Sequence, residues 1–212
     1  MAIDHWLQFS GKGPEAVDGH QGVFPGFWLF FRLILKDTRS CHMPATNEAW
    51  GELSRQGGRV SAKLKRRTDH SPAKVWAMLT NPVNLANWLA PGTVEQWQGG
   101  AVKIDFGQSG SAIDSYVRAI RPERLLEYSW SAGNEPQRPI RWNLVPDDEG
   151  TTVELTLLLP DDDRVAISCA GWDAHLEMLM ASLEGIHIHF PADRFREARA
   201  AFDLMVEEEP VT

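Results

Sequence analysis

GWDAHLEMLMASLEG, residues 171–185, sets a tryptophan and a histidine into a run of leucines and methionines. Trp172, Leu176, Leu179 and Leu183 recur at i, i+4, i+7 and i+11, one stripe of an amphipathic helix. Gly185 supplies a C-terminal stop. His175 lies about 60° off the centre of the stripe at 100° per residue. Such a helix either carries chemistry or closes a cavity, and the flanking sequence has to distinguish the two.

Immediately upstream, RPIRWNLVPDDEGTTVELTLLLP (138–160) reads as a hairpin. Ile140, Trp142 and Leu144 alternate on one arm and Val153, Leu155, Leu157 and Leu159 on the other, with a turn at 147–150. Further back, ERLLEYSWS places Leu126, Tyr128 and Trp130 on one face, SAIDSYVRAIRP is a longer strand, and GGAVKIDFG alternates Val102, Ile104 and Phe106. Before these lies a helical insert. Ser71 is an N-cap, Pro72 sits at the first helical position, and Val75, Trp76 and Leu79 form a stripe. Pro82 stops that helix, and a second short one carries Leu85, Trp88 and Leu89. The first strand, RVSAKLKRRT, alternates Val60, Ala62 and Leu64 against Ser61, Lys63 and Lys65. Downstream, a last helix from about Ala192 carries Phe195, Ala198, Phe202 and Met205, and ends in the acidic tail EEEPVT.

The order is strand, two short helices, about six antiparallel strands and a long helix. Short loops make neighbouring strands antiparallel. A curved sheet with one apolar face needs a cover, so this is an α+β helix-grip fold, the sheet wrapped around the long C-terminal helix. Between them there is often room for a pocket. The expected organisation is an N-terminal extension over 1–58, poorly ordered, a helix-grip domain over 59–190, and a C-terminal helix with tail over 191–212.

The first 42 residues have no clean period. FPGFWLFFRLIL (24–35) is too short to span a bilayer, is interrupted by Arg32, and lacks the flanks of a signal peptide. It is an extra packed element, a surface or membrane-contact patch, or the product of too early a start codon. The last is favoured, with the native protein beginning at Met43.

The chain has 212 residues, 43% of them hydrophobic and 24% charged, and a net charge of −8, which argues against nonspecific nucleic-acid binding. The one basic cluster (Arg59, Lys63, Lys65, Arg66, Arg67) reads as the wet face of a strand. Cys41 and Cys169 make neither a disulfide framework nor a zinc site, so a reduced, cytoplasmic protein is expected.

Five stretches resemble the START-like, or SRPBCC, superfamily: HSPAKVWAMLTNPVNLANWLAPG (70–92), GGAVKIDFG (99–107), RPERLLEYSW (121–130), GTTVELTLLLP (150–160) and GWDAHLEMLMASLEG (171–185). Within it they are most similar to the family named for the activator of the heat-shock chaperone ATPase, in its small bacterial single-domain form. The resemblance covers roughly residues 59–205. It implies a helix-grip fold with an apolar cavity between sheet and C-terminal helix, and binding more often than catalysis. Some relatives bind lipids, sterols or polyketides, some are cyclases or dehydratases, and a few stimulate a chaperone ATPase. The residues before Val60 do not look like the chaperone-binding domain of the eukaryotic activator.

The candidate ligand site is Trp88, Phe106, Tyr128, Trp130 and Trp142 with Trp172, His175, Leu176 and Met180 on the helix. Each alone is ordinary core; together so many rings facing one helix point to a cavity. His175 orients a ligand, acts as a general base, or is a flank histidine bonded to a strand or to water. His187 and His189, two apart, read as a solvated loop rather than metal ligands, and His5, His20, Cys41 and His42 match no metal spacing. Asp161, Asp162 and Asp163 read as a turn before a helix N-terminus. Asp105, Asp114, Glu127 and Arg141 are surface charges, unless the sheet turns Arg141 and Glu127 inward as a polar anchor. No phosphate loop, serine–histidine–acid set or dinucleotide fingerprint is present, so no cofactor and no metal is expected. The expected partner is a small hydrophobic molecule, bound without catalysis by a monomer or homodimer that has no integral membrane segment. The rivals are a chaperone-directed interaction module and a cyclase or dehydratase using His175.

Overall fold

The computed structural model describes residues 50–133 and 135–208. The expectations for residues 1–42 and for a start at Met43 lie outside them. The elements are β1 (Glu52–Gln56), β2 (Arg59–Thr68), α1 (Pro72–Thr80), α2 (Pro82–Trp88), β3 (Gly92–Val94), β4 (Ala101–Ile104), a 3-10 turn (Gly107–Ser109), β5 (Ile113–Arg121), β6 (Leu125–Ser129), β7 (Pro139–Asp147), β8 (Gly150–Pro160), α3 (Val165–Leu183) and α4 (Ala192–Glu208). The strands form one antiparallel sheet in the order β1-β2-β8-β7-β6-β5-β4-β3. This is the helix-grip fold, with α3 on the apolar side of the sheet.

The local chemistry is the expected one at the helical insert. The Ser71 side chain accepts from Lys74 N, and Pro72 opens α1. Asn81 ends α1 and caps α2, its side chain accepting from Val83 N and Asn84 N. The alternating residues of β2, β7 and β8 are buried as a continuous layer, Val60, Ala62 and Leu64 beside Leu159, Leu157 and Leu155, then Ile140 and Trp142. Gly150 follows the β7–β8 turn, and a Cβ there would lie 2.1 Å from the Thr68 carbonyl oxygen.

Three features depart from the sequence expectations. Residues 52–56, placed in the poorly ordered extension, form the edge strand β1, with Leu53 opposite Ala62. The turn is Gly57–Gly58, at φ +58° and +69°, a two-residue hairpin connection for which glycine is suited. Arg66, assigned to the wet face, has the phase of Val60, Ala62 and Leu64 and turns inward. Finally, α3 is not apolar on one stripe alone: every residue from Val165 to Leu176 is buried. The reason is α4, which packs Phe195, Ala198, Phe202 and Met205 inward and covers the side of α3 that a lone amphipathic helix would leave wet. Among the described residues no helix is long and apolar enough to cross a membrane.

Candidate functional site

The predicted rings meet. Starting just after β4, Phe106 contacts Trp130 at 5.8 Å between ring centroids, Trp130 contacts Trp172 at 4.6 Å, and Trp172 contacts Trp142 at 5.7 Å. Trp142 then contacts Trp88 at 5.9 Å. All four are edge-to-face, the arrangement ring quadrupoles favour. Trp88, Tyr128, Trp130, Trp142, Trp172 and Leu176 are buried, while Phe106 and Met180 are half-buried. The row therefore runs from the interior to the edge of the domain, and Phe106 is its outer end.

Two polar ring atoms in the row are engaged. Trp88 Nε1 donates to the Met78 carbonyl at 2.9 Å, and His175 Nδ1 donates to the Trp88 carbonyl at 3.1 Å. His175 is only 2% exposed and also contacts the rings of Trp88, Trp172 and Phe190. It bridges α3 to the end of α2. A third polar atom, Trp142 Nε1, is buried and faces the Tyr128 hydroxyl without a hydrogen bond of full geometry among the described residues. Burial pushes the neighbouring Tyr128 phenol up, opposed in part by the Trp142 indole.

At its outer end the row meets a groove of about 460 Å³. Leu89, Ala90 and Pro91 form one wall, and Asp105, Phe106 and Gly107 the other. The chain geometry that opens it is the end of α2 facing the turn after β4.

The other candidates are not drawn into this site. Arg141 and Glu127 do pair, at 2.7 Å, but on the outer side of the sheet, where Arg141 is half exposed and Arg118 also approaches Glu127. The side chains of His187 and His189 lie in an exposed loop after α3, ring centroids 6.1 Å apart. Asp161–Asp163 form the turn before α3, where Asp161 pairs with Arg55 at 3.2 Å. His70 lies 2.9 Å from Glu184 at the far end of α3. Among the described residues no group of three or more His, Cys, Asp or Glu is placed to hold a metal ion.

Two polar clusters were missed. Asp173, fully buried on α3, is held by Arg66 of β2 at 2.5 Å and by Arg194 of α4 at 2.8 Å. Glu177, one turn on, meets the same two arginines at 3.0 and 3.4 Å, and Trp50 stacks on Arg194 at 4.7 Å. The available signal was phase, since Arg66 falls on the apolar side of its strand. The second cluster sits where β6 ends. Ser115 Oγ donates to the Ser129 carbonyl, Ser129 and Ser131 hydroxyls bond at 2.8 Å, and Ser129 Oγ accepts from Arg138 N. The three serines are buried, and their bonds satisfy backbone where the strand leaves the sheet.

Residues 69–184, more than half of the chain, match the family model described as activator of Hsp90 ATPase homolog 1-like protein. A search of curated proteins finds no match. Among solved structures, the chain is similar to CalU16 from Micromonospora echinospora (20% identity, 74% of this chain and 98% of that one, TM-score 0.64). It is similar to a conserved protein of unknown function from Enterococcus faecalis (14% identity, 76% and 92%, TM-score 0.63). It is also similar to the Aha1 dimer from Colwellia psychrerythraea (23% identity, 58% and 96%, TM-score 0.53). At these identities the solved structures speak for the fold, and the family match extends from α1 through α3, the segments that build the ring row. The chain therefore belongs to the family of activator of Hsp90 ATPase homolog 1-like proteins.

Proposed function

We propose that this domain is a noncatalytic, cytoplasmic binding protein for a small hydrophobic or aromatic molecule, taken up at the Phe106–Trp130 end of the ring row. The observation that carries the proposal is the continuity of the row with the groove beside Phe106. Rings that end in a concavity offer a ligand both area and stacking partners. His175 favours a positioning role over acid–base work, being buried and bonded to the Trp88 carbonyl.

Native mass spectrometry of freshly purified protein, against its denatured mass, is the direct test. A removable adduct identifies the ligand class. Its loss in Trp130→Ala and Phe106→Ala, with the melting transition retained, assigns the site; an undiminished adduct in both variants defeats it.

Family membership favours a second reading, stimulation of a heat-shock chaperone ATPase. Purified full-length protein either raises the ATPase rate or, at saturation, leaves it unchanged; the second result removes this reading.

A further inference from the structure

Beside the outer end of the ring row lies a cation with an unused donor. The β6–β7 ladder pairs Tyr128 with Ile140 and Ser129 with Pro139, and continues to Trp130, whose N–H donates to the Arg138 carbonyl at 2.8 Å. Arg138 thus stands next to Trp130, in the phase of the inward-facing Ile140 and Trp142. Its side chain is only 11% exposed. Nη1 is buried and, among the described residues, donates no hydrogen bond. The carboxylate beside it is Glu135, with an oxygen 3.8 Å from Nη1, beyond hydrogen-bonding reach. The Ser129 hydroxyl is spent on Ser131 and on the Arg138 backbone.

A buried guanidinium donor without an acceptor is costly, and such groups are normally completed by a protein group, water or a ligand. Arginine presents a planar fork that matches the two oxygens of a carboxylate or sulfonate. Trp130 itself meets the rings of Phe106 and Trp172. The site therefore combines a stacking surface with one cation at its edge.

We infer that the ligand is an amphipathic anion, an aromatic or aliphatic body bearing a carboxylate or similar oxyanion, and that Arg138 anchors the anionic end beside Trp130. Glu135 competes for the same guanidinium and is displaced from it when the ligand binds. This rests on the binding proposal above and names the chemical class of its ligand.

Two fluorescent probes of similar apolar body separate the claims: anionic 8-anilinonaphthalene-1-sulfonate and uncharged N-phenyl-1-naphthylamine. Both are titrated into the full-length protein. Arg138→Gln is expected to weaken the anionic probe about tenfold, the size of one charge-assisted contact, and to leave the neutral probe within about twofold. Glu135→Gln is expected to tighten the anionic probe about two- to threefold, with the neutral probe unmoved. Arg138→Lys should restore part of the loss, since it keeps the charge and loses the fork. Equal anionic affinity in wild type and Arg138→Gln overturns the anchor while leaving the binding site standing. So does equal loss of both probes with a native circular-dichroism spectrum, which makes Arg138 structural. If Arg138→Gln fails to fold, Glu135→Gln decides, and an unchanged ratio of the two affinities overturns the anchor. Wild-type protein that binds neither probe overturns the anchor and the binding proposal together.

Discussion

On one side α3 lays Trp172 against Trp130 and Trp142; on its flank, one residue along, Asp173 is gripped by Arg66 and Arg194. Ring contacts depend on area and tolerate small shifts. The carboxylate depends on direction, and its worth depends on what remains when a partner is lost. A buried ion pair adds little over an apolar pair of the same shape, yet leaving one charge behind is expensive. The aromatic side thus tolerates small rearrangements, while the charged side fixes α3 to β2 and α4.

The most severe way to break this division is Asp173→Ala, which leaves Arg66 and Arg194 to share Glu177 beside an emptied site. A loss of about 3–5 kcal/mol is expected in urea unfolding. Cys169 lies one turn before Asp173, fully buried, and burial pushes its thiol pKa up. It should resist alkylation in the native protein, and Asp173→Ala should speed labelling of the Cys169 peptide, read by mass spectrometry. If labelling stays slow while stability falls, the carboxylate matters to global folding and not to the local hold on α3. The comparison is sharpened by combining Arg66→Met with Asp173→Leu. The pair should cost less than Asp173→Ala alone, because one guanidinium leaves with the carboxylate, Arg194 keeps Glu177, and the volume is refilled. Trp50→Leu removes the ring over Arg194 and should cost about 0.5–1 kcal/mol. Smallest is Glu127→Gln, on the outer side of the sheet, where Arg141 is half exposed. A change of about 0.5 kcal/mol or less is expected.

Much of this arrangement was legible in the chain. The hairpin of β7 and β8, the cap at Ser71 and the Trp172–Leu183 stripe are local patterns, and local patterns were sufficient. β1 escaped because ELSRQ offers Leu53 as its one apolar residue, so alternation had nothing to register; the Gly57–Gly58 turn was the usable signal. The ring residues were identifiable because abundant tryptophan on inward-facing phases has few other places to go. Asp173 was not, since its partners lie 107 residues before it and 21 after it, and no local pattern encodes that pairing. Arg138 sits before its strand begins, and only the completed ladder sets it beside Trp130.

The sheet order has a consequence in time. β2 lies between β1 and β8, and its register sets Val60 opposite Leu159, residues separated by nearly the whole domain. At about 5–20 residues per second, synthesis brings β8 out some 5–20 s after β2. During that interval the β2 edge of the β1–β2 hairpin stands open, with an uncovered row of Val60, Ala62 and Leu64. Lys63, Lys65 and Arg67 on the opposite side of that strand keep the nascent edge charged, which discourages pairing with a neighbouring chain before its own last strand arrives.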